Sequence, residues 1–114
     1  MSNLRRVGKA AEDRAARFLM EKGYTIVTRR YNAKGGEIDL IALDGDMMVF
    51  VEVKERRAAG FIPEEAMSRQ KLECLGRARH EYLGVIGEPN RLSRFDMIAI
   101  DAKGIRHYED AFRV

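Results

Sequence analysis

Cysteine, proline and tryptophan are scarce in this chain: one Cys, two Pro and no Trp in 114 residues. A lone cysteine, Cys74, excludes an internal disulfide and suits a reducing compartment. It falls within a helical apolar pattern, so it is expected as a small core residue rather than a nucleophile. No apolar run approaches the roughly 20 residues that a membrane-spanning helix needs. The opening Met-Ser-Asn-Leu-Arg-Arg leads into an amphipathic pattern without the continuous apolar centre of a signal peptide. A cytoplasmic protein with no membrane partner is expected. Internal repeats, low-complexity tracts and linkers are also missing, which leaves a single domain able to bury about two-thirds of its unfolded surface.

Charge of one sign is lacking too. The net charge of +3 arises from 21 basic and 18 acidic residues; it permits a polyanionic partner without demanding one. The basic residues come in small groups, among them Arg29–Arg30 with Lys34 and Arg56–Arg57, and no block is long enough for a disordered basic tail.

What is present is concentrated between Gly36 and Lys54. Two runs rich in β-branched and large apolar residues flank Asp44-Gly45-Asp46, a tight-turn signal, and predict a β-hairpin. Alternation along a strand puts Glu52 and Lys54 on one face. A loop at Gly45-Asp46, or one from Asp44 to Met47, pairs Asp39 directly with Glu52. A loop at Asp44-Gly45 pairs Asp39 with Phe50 and leaves Glu52 diagonal. Any even-membered loop keeps both acids on the same face. Met47 to Val51 is apolar on both faces, the mark of a central strand covered on both sides. Two carboxylates held about 5–8 Å apart at the end of such a strand repel each other and are partly desolvated. Hard oxygen ligands of this kind suit Mg²⁺; the alternative is a solvated strand end where Lys54 neutralises Glu52.

The rest of the chain supplies the frame. A helix from about Leu4 to Lys22, capped by Ser2 or Asn3, carries the stripe Leu4, Val7, Ala11, Ala15, Phe18 and Leu19 and stops at Gly23. Glu12 borders that stripe, where a helix acid ordinarily pairs with a nearby arginine. Tyr24 to Arg30 reads as a strand and Asn32 to Gly36 as a polar loop. Glu55 to Ile62 reads as a mobile loop. Pro63 opens a second helix to about Leu83, with Met67, Cys74, Leu75, Ala78 and Tyr82 as its stripe and Gly84 as its stop. Lys71 lies inside that stripe; it either snorkels from the core edge or points along the sheet toward the acids and a phosphate. Arg94 to Asp101 and Ile105 to Tyr108 complete the strands, and His80 and His107 are expected to be structural or solvated. The order α-β-β-β-α-β-β predicts an α/β domain: a mixed sheet flanked by helices.

Gly36-Glu-Ile-Asp39-Leu-Ile with Val49-Phe-Val-Glu52-Val-Lys54 resembles the YraN-like family of small bacterial proteins. Gly8, Glu12, Ala15 and Phe18-Leu19, then Lys71, Arg94-Phe-Asp and Ala111-Phe112, extend the resemblance over nearly the whole chain. That family is in turn similar to PD-(D/E)XK nucleases, near the archaeal Holliday-junction resolvases, although Ile38 stands where the superfamily's name has proline. The resemblance implies a restriction-endonuclease-like core with Asp39, Glu52 and Glu12 as the metal-site acids and Lys54 as the catalytic lysine. It implies Mg²⁺ or Mn²⁺, held also by the Val53 carbonyl, and phosphodiester hydrolysis in nucleic acid, branched or structured DNA first. Glu37 shares the face of Asp39, where it either supports the metal or pairs with an arginine. Arg29, Arg30, Arg56, Arg57 and Lys71 are then the expected phosphate contacts, and a homodimer follows if two strands are cut. No aromatic platform for stacking bases is evident, which favours a substrate read by shape. The rival readings are a non-catalytic nucleic-acid-binding module of the same fold and a protein-interaction adaptor.

Overall fold

The computed structural model describes residues 2–57 and 60–113, with side chains from Lys9 onward. Helix α1 (Ser2–Glu21) precedes three strands, β1 (Thr25–Ala33), β2 (Gly36–Asp44) and β3 (Met47–Glu55). Helices α2 (Pro63–Ala66) and α3 (Arg69–Val85) follow, then β4 (Ser93–Asp101) and β5 (Gly104–Phe112). The five strands form one sheet in chain order, antiparallel except for the parallel β3·β4 pair. A parallel neighbour requires a crossover, and α2 and α3 supply it. The expected mixed α/β architecture and order are observed, with the second helix divided in two.

The apolar run of β3 explains the layering. Val49 and Val51 join Leu40, Ala42, Ile98 and Ile100 under Ala11, Ala15, Ala16 and Leu19 of α1. Met48 and Phe50 join Ile41, Phe95, Met97 and Ala99 on the other face, under Leu75, Ala78, Tyr82 and Leu83 of α3. Successive residues therefore feed two cores, and the sheet is covered on both sides as the unbroken hydrophobicity of this strand required.

Several boundaries differ from the sequence expectation. Asn32 and Ala33 belong to the ladder, paired with Glu37 and Gly36. The expected Asn32–Gly36 loop is therefore only the turn Lys34–Gly35. The helix expected from Pro63 to Leu83 breaks because Met67 is extended and Ser68 restarts it, its hydroxyl accepting from the Lys71 N–H at 3.1 Å. Gly84 stays helical, and the chain turns at Gly87, whose φ of 75° suits glycine. Cys74 is only half-buried, and it lies against Gly36: a Cβ there would sit 3.0 Å from the Cys74 Cβ. β5 is longer than Ile105–Tyr108 because the pairing resumes at Phe95↔Phe112 beyond a bulge. The expected caps Ser2 and Asn3, with Leu4, Val7 and Gly8, precede the described side chains; Ala58 and Ala59 of the expected mobile loop lie outside the described residues. None of the described helices is long and apolar enough to cross a membrane.

Candidate metal centre

The β2–β3 turn is Gly45–Asp46, with Asp44 paired to Met47 and the ladder running to Leu40↔Val51. The next step of that register sets Asp39 opposite Glu52, the first of the arrangements expected from the sequence. There the ladder ends, and the Asp39 carboxylate takes the place of a backbone partner: its Oδ2 accepts from the Val53 N–H at 2.7 Å. Glu52 is 4% exposed. Its Oε2 faces two ammonium groups, Lys54 at 3.6 Å and Lys71 at 3.9 Å. Its other oxygen, Oε1, is buried with no hydrogen-bond partner among the described residues.

Two desolvated acids at this separation cannot both be ionised cheaply. Burial, then the charge of Glu52, pushes the Asp39 carboxyl up to about 8 against the pull of the Val53 N–H. Burial also raises Glu52, opposed by Lys71, Lys54 and a hydrogen bond with Asp39. A divalent cation between them relieves the repulsion and gives Glu52 Oε1 the partner it lacks.

On the other flank of Asp39 stand Glu12, 9% exposed on α1, and Glu37 at the start of β2. Carboxylate oxygens of Glu12, Glu37 and Asp39 lie within 4.8 Å of one another, a grouping able to hold a metal ion. Arg30 reaches this group from β1, donating from Nε to Glu12 Oε1 at 2.6 Å. The pairing of Glu12 with an arginine is thus observed, within the acidic cluster. Arg30 carries φ of 52°, in the left-handed region that a non-glycine residue seldom adopts.

The candidate acids Glu12, Asp39 and Glu52 and the cations Lys54, Lys71 and Arg30 are therefore brought together. The remaining arginines are not. Arg29 turns to Asp13 on the surface, at 2.6 Å. Arg56 continues the parallel ladder through its N–H to the Ile100 carbonyl, and its guanidinium lies over the Phe61 ring. With Arg57, Glu55 and Arg14 it lines a groove of about 420 Å³ that begins one residue past Lys54. Arg14 had no signal in the sequence beyond its place two residues after Glu12. The capping hydroxyl of Ser68, which sets Lys71 in the first turn of α3, was detectable as a serine before a helical pattern.

His107 is structural, as expected, and has the partner the sequence did not reveal. Its Nε2 lies 2.8 Å from Asp96 Oδ2, and Arg94 and the Asp110 N–H complete the shell of that fully buried aspartate.

Fold and site define a small α/β domain with a carboxylate-rich centre at the end of its central hairpin, a centre able to hold a metal ion. Residues 11–100 match the Uncharacterised protein family UPF0102. The chain belongs to this family, that of the YraN-like proteins, as the hairpin motif indicated. It is 44% identical over 98 residues to a UPF0102 protein of Symbiobacterium thermophilum, covering 85% of this chain and 83% of that one. A UPF0102 protein of Chlorobaculum tepidum is 42% identical over 109 residues (90% and 84%), and one of Geobacter sulfurreducens 39% over 114 (95% and 89%).

Proposed function

We propose that the domain is a metal-dependent phosphodiesterase acting on nucleic acid, with structured DNA as the substrate class. The observation that carries this reading is the pair Asp39 and Glu52, opposed across the hairpin with one buried oxygen unpartnered and Lys54 beside it. Asp39 and Glu52 are the ligands proposed for Mg²⁺ or Mn²⁺, together with the Val53 carbonyl; Glu12 either supports the ion's hydration or holds a second ion. When bound, the cation supplies Lewis acidity toward a phosphodiester and makes nearby water more acidic.

The chain's own groups do the remaining work. Lys54 orients the attacking water and stabilises negative charge growing on the phosphoryl oxygens. Lys71 approaches Glu52 from the opposite element and holds a non-bridging phosphate oxygen. The groove of Arg14, Arg56 and Arg57 takes the adjoining backbone, and affinity falls as salt rises. One centre cuts one strand, so cleavage of a branched junction requires a homodimer on the substrate.

The test is a calorimetric titration of Mn²⁺ into wild type and Asp39→Ala, followed by a cleavage screen over branched, duplex and single-stranded DNA and RNA. Chelator-sensitive cleavage that Asp39→Ala and Lys54→Ala both abolish is the expected result. Salt-sensitive binding without cleavage of any substrate would identify a non-catalytic binding module instead, and neither binding nor cleavage an adaptor.

A further inference from the structure

Arg30 occupies an unusual position. The register pairs Arg29 with Leu40 and Tyr31 with Ile38, so Arg30 stands opposite Asp39. Its backbone is left-handed at that point, a conformation costly for any residue with a Cβ, and such outliers persist where surrounding interactions impose them. The interaction here is the 2.6 Å bond to Glu12, in a side chain two-thirds buried. Glu12, Glu37 and Asp39 crowd one side of the centre. Arg29, its neighbour, is committed to Asp13 and does not compete for the site.

We propose that Arg30 is the resident cation of this centre: its guanidinium neutralises the Glu12–Glu37–Asp39 side, where a second metal would otherwise sit, so that the centre takes up a single divalent ion between Asp39 and Glu52. The inference rests on the metal reading above and decides between its two roles for Glu12, which acts through Arg30 as a positioning residue. Two-metal centres hold their ions about 3.5–4 Å apart on shared carboxylates, and Asp39, flanked by Glu52 on one side and Glu12 and Glu37 on the other, is the carboxylate that would be shared. The unpartnered, nine-tenths buried oxygen belongs to Glu52, whereas Glu12 already has its cation. Charge points the same way. Four carboxylates with Arg30, Lys54 and Lys71 leave one negative charge when all are ionised. One divalent ion makes that a single positive charge, which one phosphodiester balances, while a second would overload it.

The experiment is Mn²⁺ uptake measured by calorimetry and by electron paramagnetic resonance, which detects coupled ion pairs. Arg30→Asn removes the charge and tolerates a left-handed backbone; Arg30→Lys keeps the charge. Wild type and Arg30→Lys are expected to take one ion per chain. Arg30→Asn is expected to take two, with a coupled-pair spectrum, and to bind the first roughly tenfold more tightly. Two ions in the wild type, or one ion at unchanged affinity in Arg30→Asn, would overturn this proposal and leave the metal centre standing. No uptake by any of the three would overturn both. Should Arg30→Asn fail to fold, Glu12→Gln carries the test. One ion per chain, with affinity lowered by no more than roughly 10–100-fold, supports a carboxylate engaged by Arg30, and complete loss of Mn²⁺ uptake, the mark of a ligand, overturns it.

Discussion

Lys71 Nζ lies 3.9 Å from Glu52 Oε2, and it comes from a helix whose first turn is held by Ser68 three residues earlier. The break at Met67–Ser68 thus aims a cation at β3. Replacing Lys71 by Met leaves Lys54 as the ammonium group that opposes the burial of Glu52. At pH 8 this is expected to cost the metal-free protein about 1 kcal/mol, since the pair is partly solvent-screened. At pH 5 the cost should be smaller, because the raised Glu52 carboxyl is then closer to neutral. Urea unfolding at the two pH values measures both; equal costs would mean that Lys71 acts by packing alone.

Asp39 gives the metal-free protein an unusual pH profile. Its carboxyl is pushed up to about 8 in the fold from an ordinary value near 4, chiefly by burial and by Glu52. Between those values the folded state holds a proton that the unfolded state has lost, so stability should fall as pH rises across the window. Thermal unfolding from pH 5 to 8 should show that decline, Asp39→Asn should flatten it, and Mn²⁺ should reverse it by binding only the folded form. A metal-free wild type whose stability rises over the same range would contradict the geometry of the acid pair.

The hairpin was legible in the sequence because its signals are local. Asp-Gly-Asp marks the turn, and period-two alternation fixes which side chains share a face, so the convergence of Asp39 with Glu52 required only an even loop. What was hidden depended on partners distant in sequence. The left-handed conformation of Arg30 belongs to a residue type that does not favour it, and its partner Glu12 lies on another element. Asn32 and Ala33 have loop-like polarity and size, yet they continue a ladder whose partner strand lies beyond the turn. The Ser68 restart was locally encoded, but the apolar stripe through Met67 masked it. His107 pairs with Ile98 in the regular part of the β4–β5 ladder and meets Asp96 as a diagonal neighbour on the same face, while the Asp110 N–H reaches that carboxylate at the bulge.

Gly36 is where the β1–β2 hairpin meets α3. A methyl group there would lie 3.0 Å from the Cys74 Cβ and 3.1 Å from the Cys74 carbonyl oxygen. The second of these is helix backbone and does not yield easily. Gly36→Ala should therefore cost about 1–3 kcal/mol through overpacking, measurable as a lower urea midpoint at unchanged slope. Because Glu37 and Asp39 follow on the same strand, the displaced hairpin should also weaken Mn²⁺ binding. Cys74→Ala keeps the Cβ as well as the carbonyl oxygen, so combining it with Gly36→Ala should restore none of the loss.

Asp96 shows what a second buried carboxylate does when its partners are complete. It is fully buried, yet its pKa lies below the ordinary range: burial raises it, but His107, Arg94 and the Asp110 N–H together outweigh that. The tautomer follows from the donors. Lys22 Nζ has only protons to give and lies 2.8 Å from His107 Nδ1, so Nδ1 accepts and Nε2–H donates to Asp96. Asp96→Ala strands the buried His107 and Arg94 and should cost about 3–5 kcal/mol. Asp96→Asn should not recover it fully, because its amide presents hydrogens to groups that are already donors. A lowered carboxyl stabilises the fold above its unfolded pKa and loses that effect as pH falls through the folded one. The deficit of Asp96→Ala against wild type should therefore shrink in acid, below about pH 4. Glu52 meets Lys71 on the α3 side of the sheet, whereas Asp96 sits with Tyr24 and His107 on the α1 side. Mn²⁺ affinity in whatever fraction remains folded should hence be unchanged, and a coupled loss of metal binding would show that the two carboxylate centres are not independent.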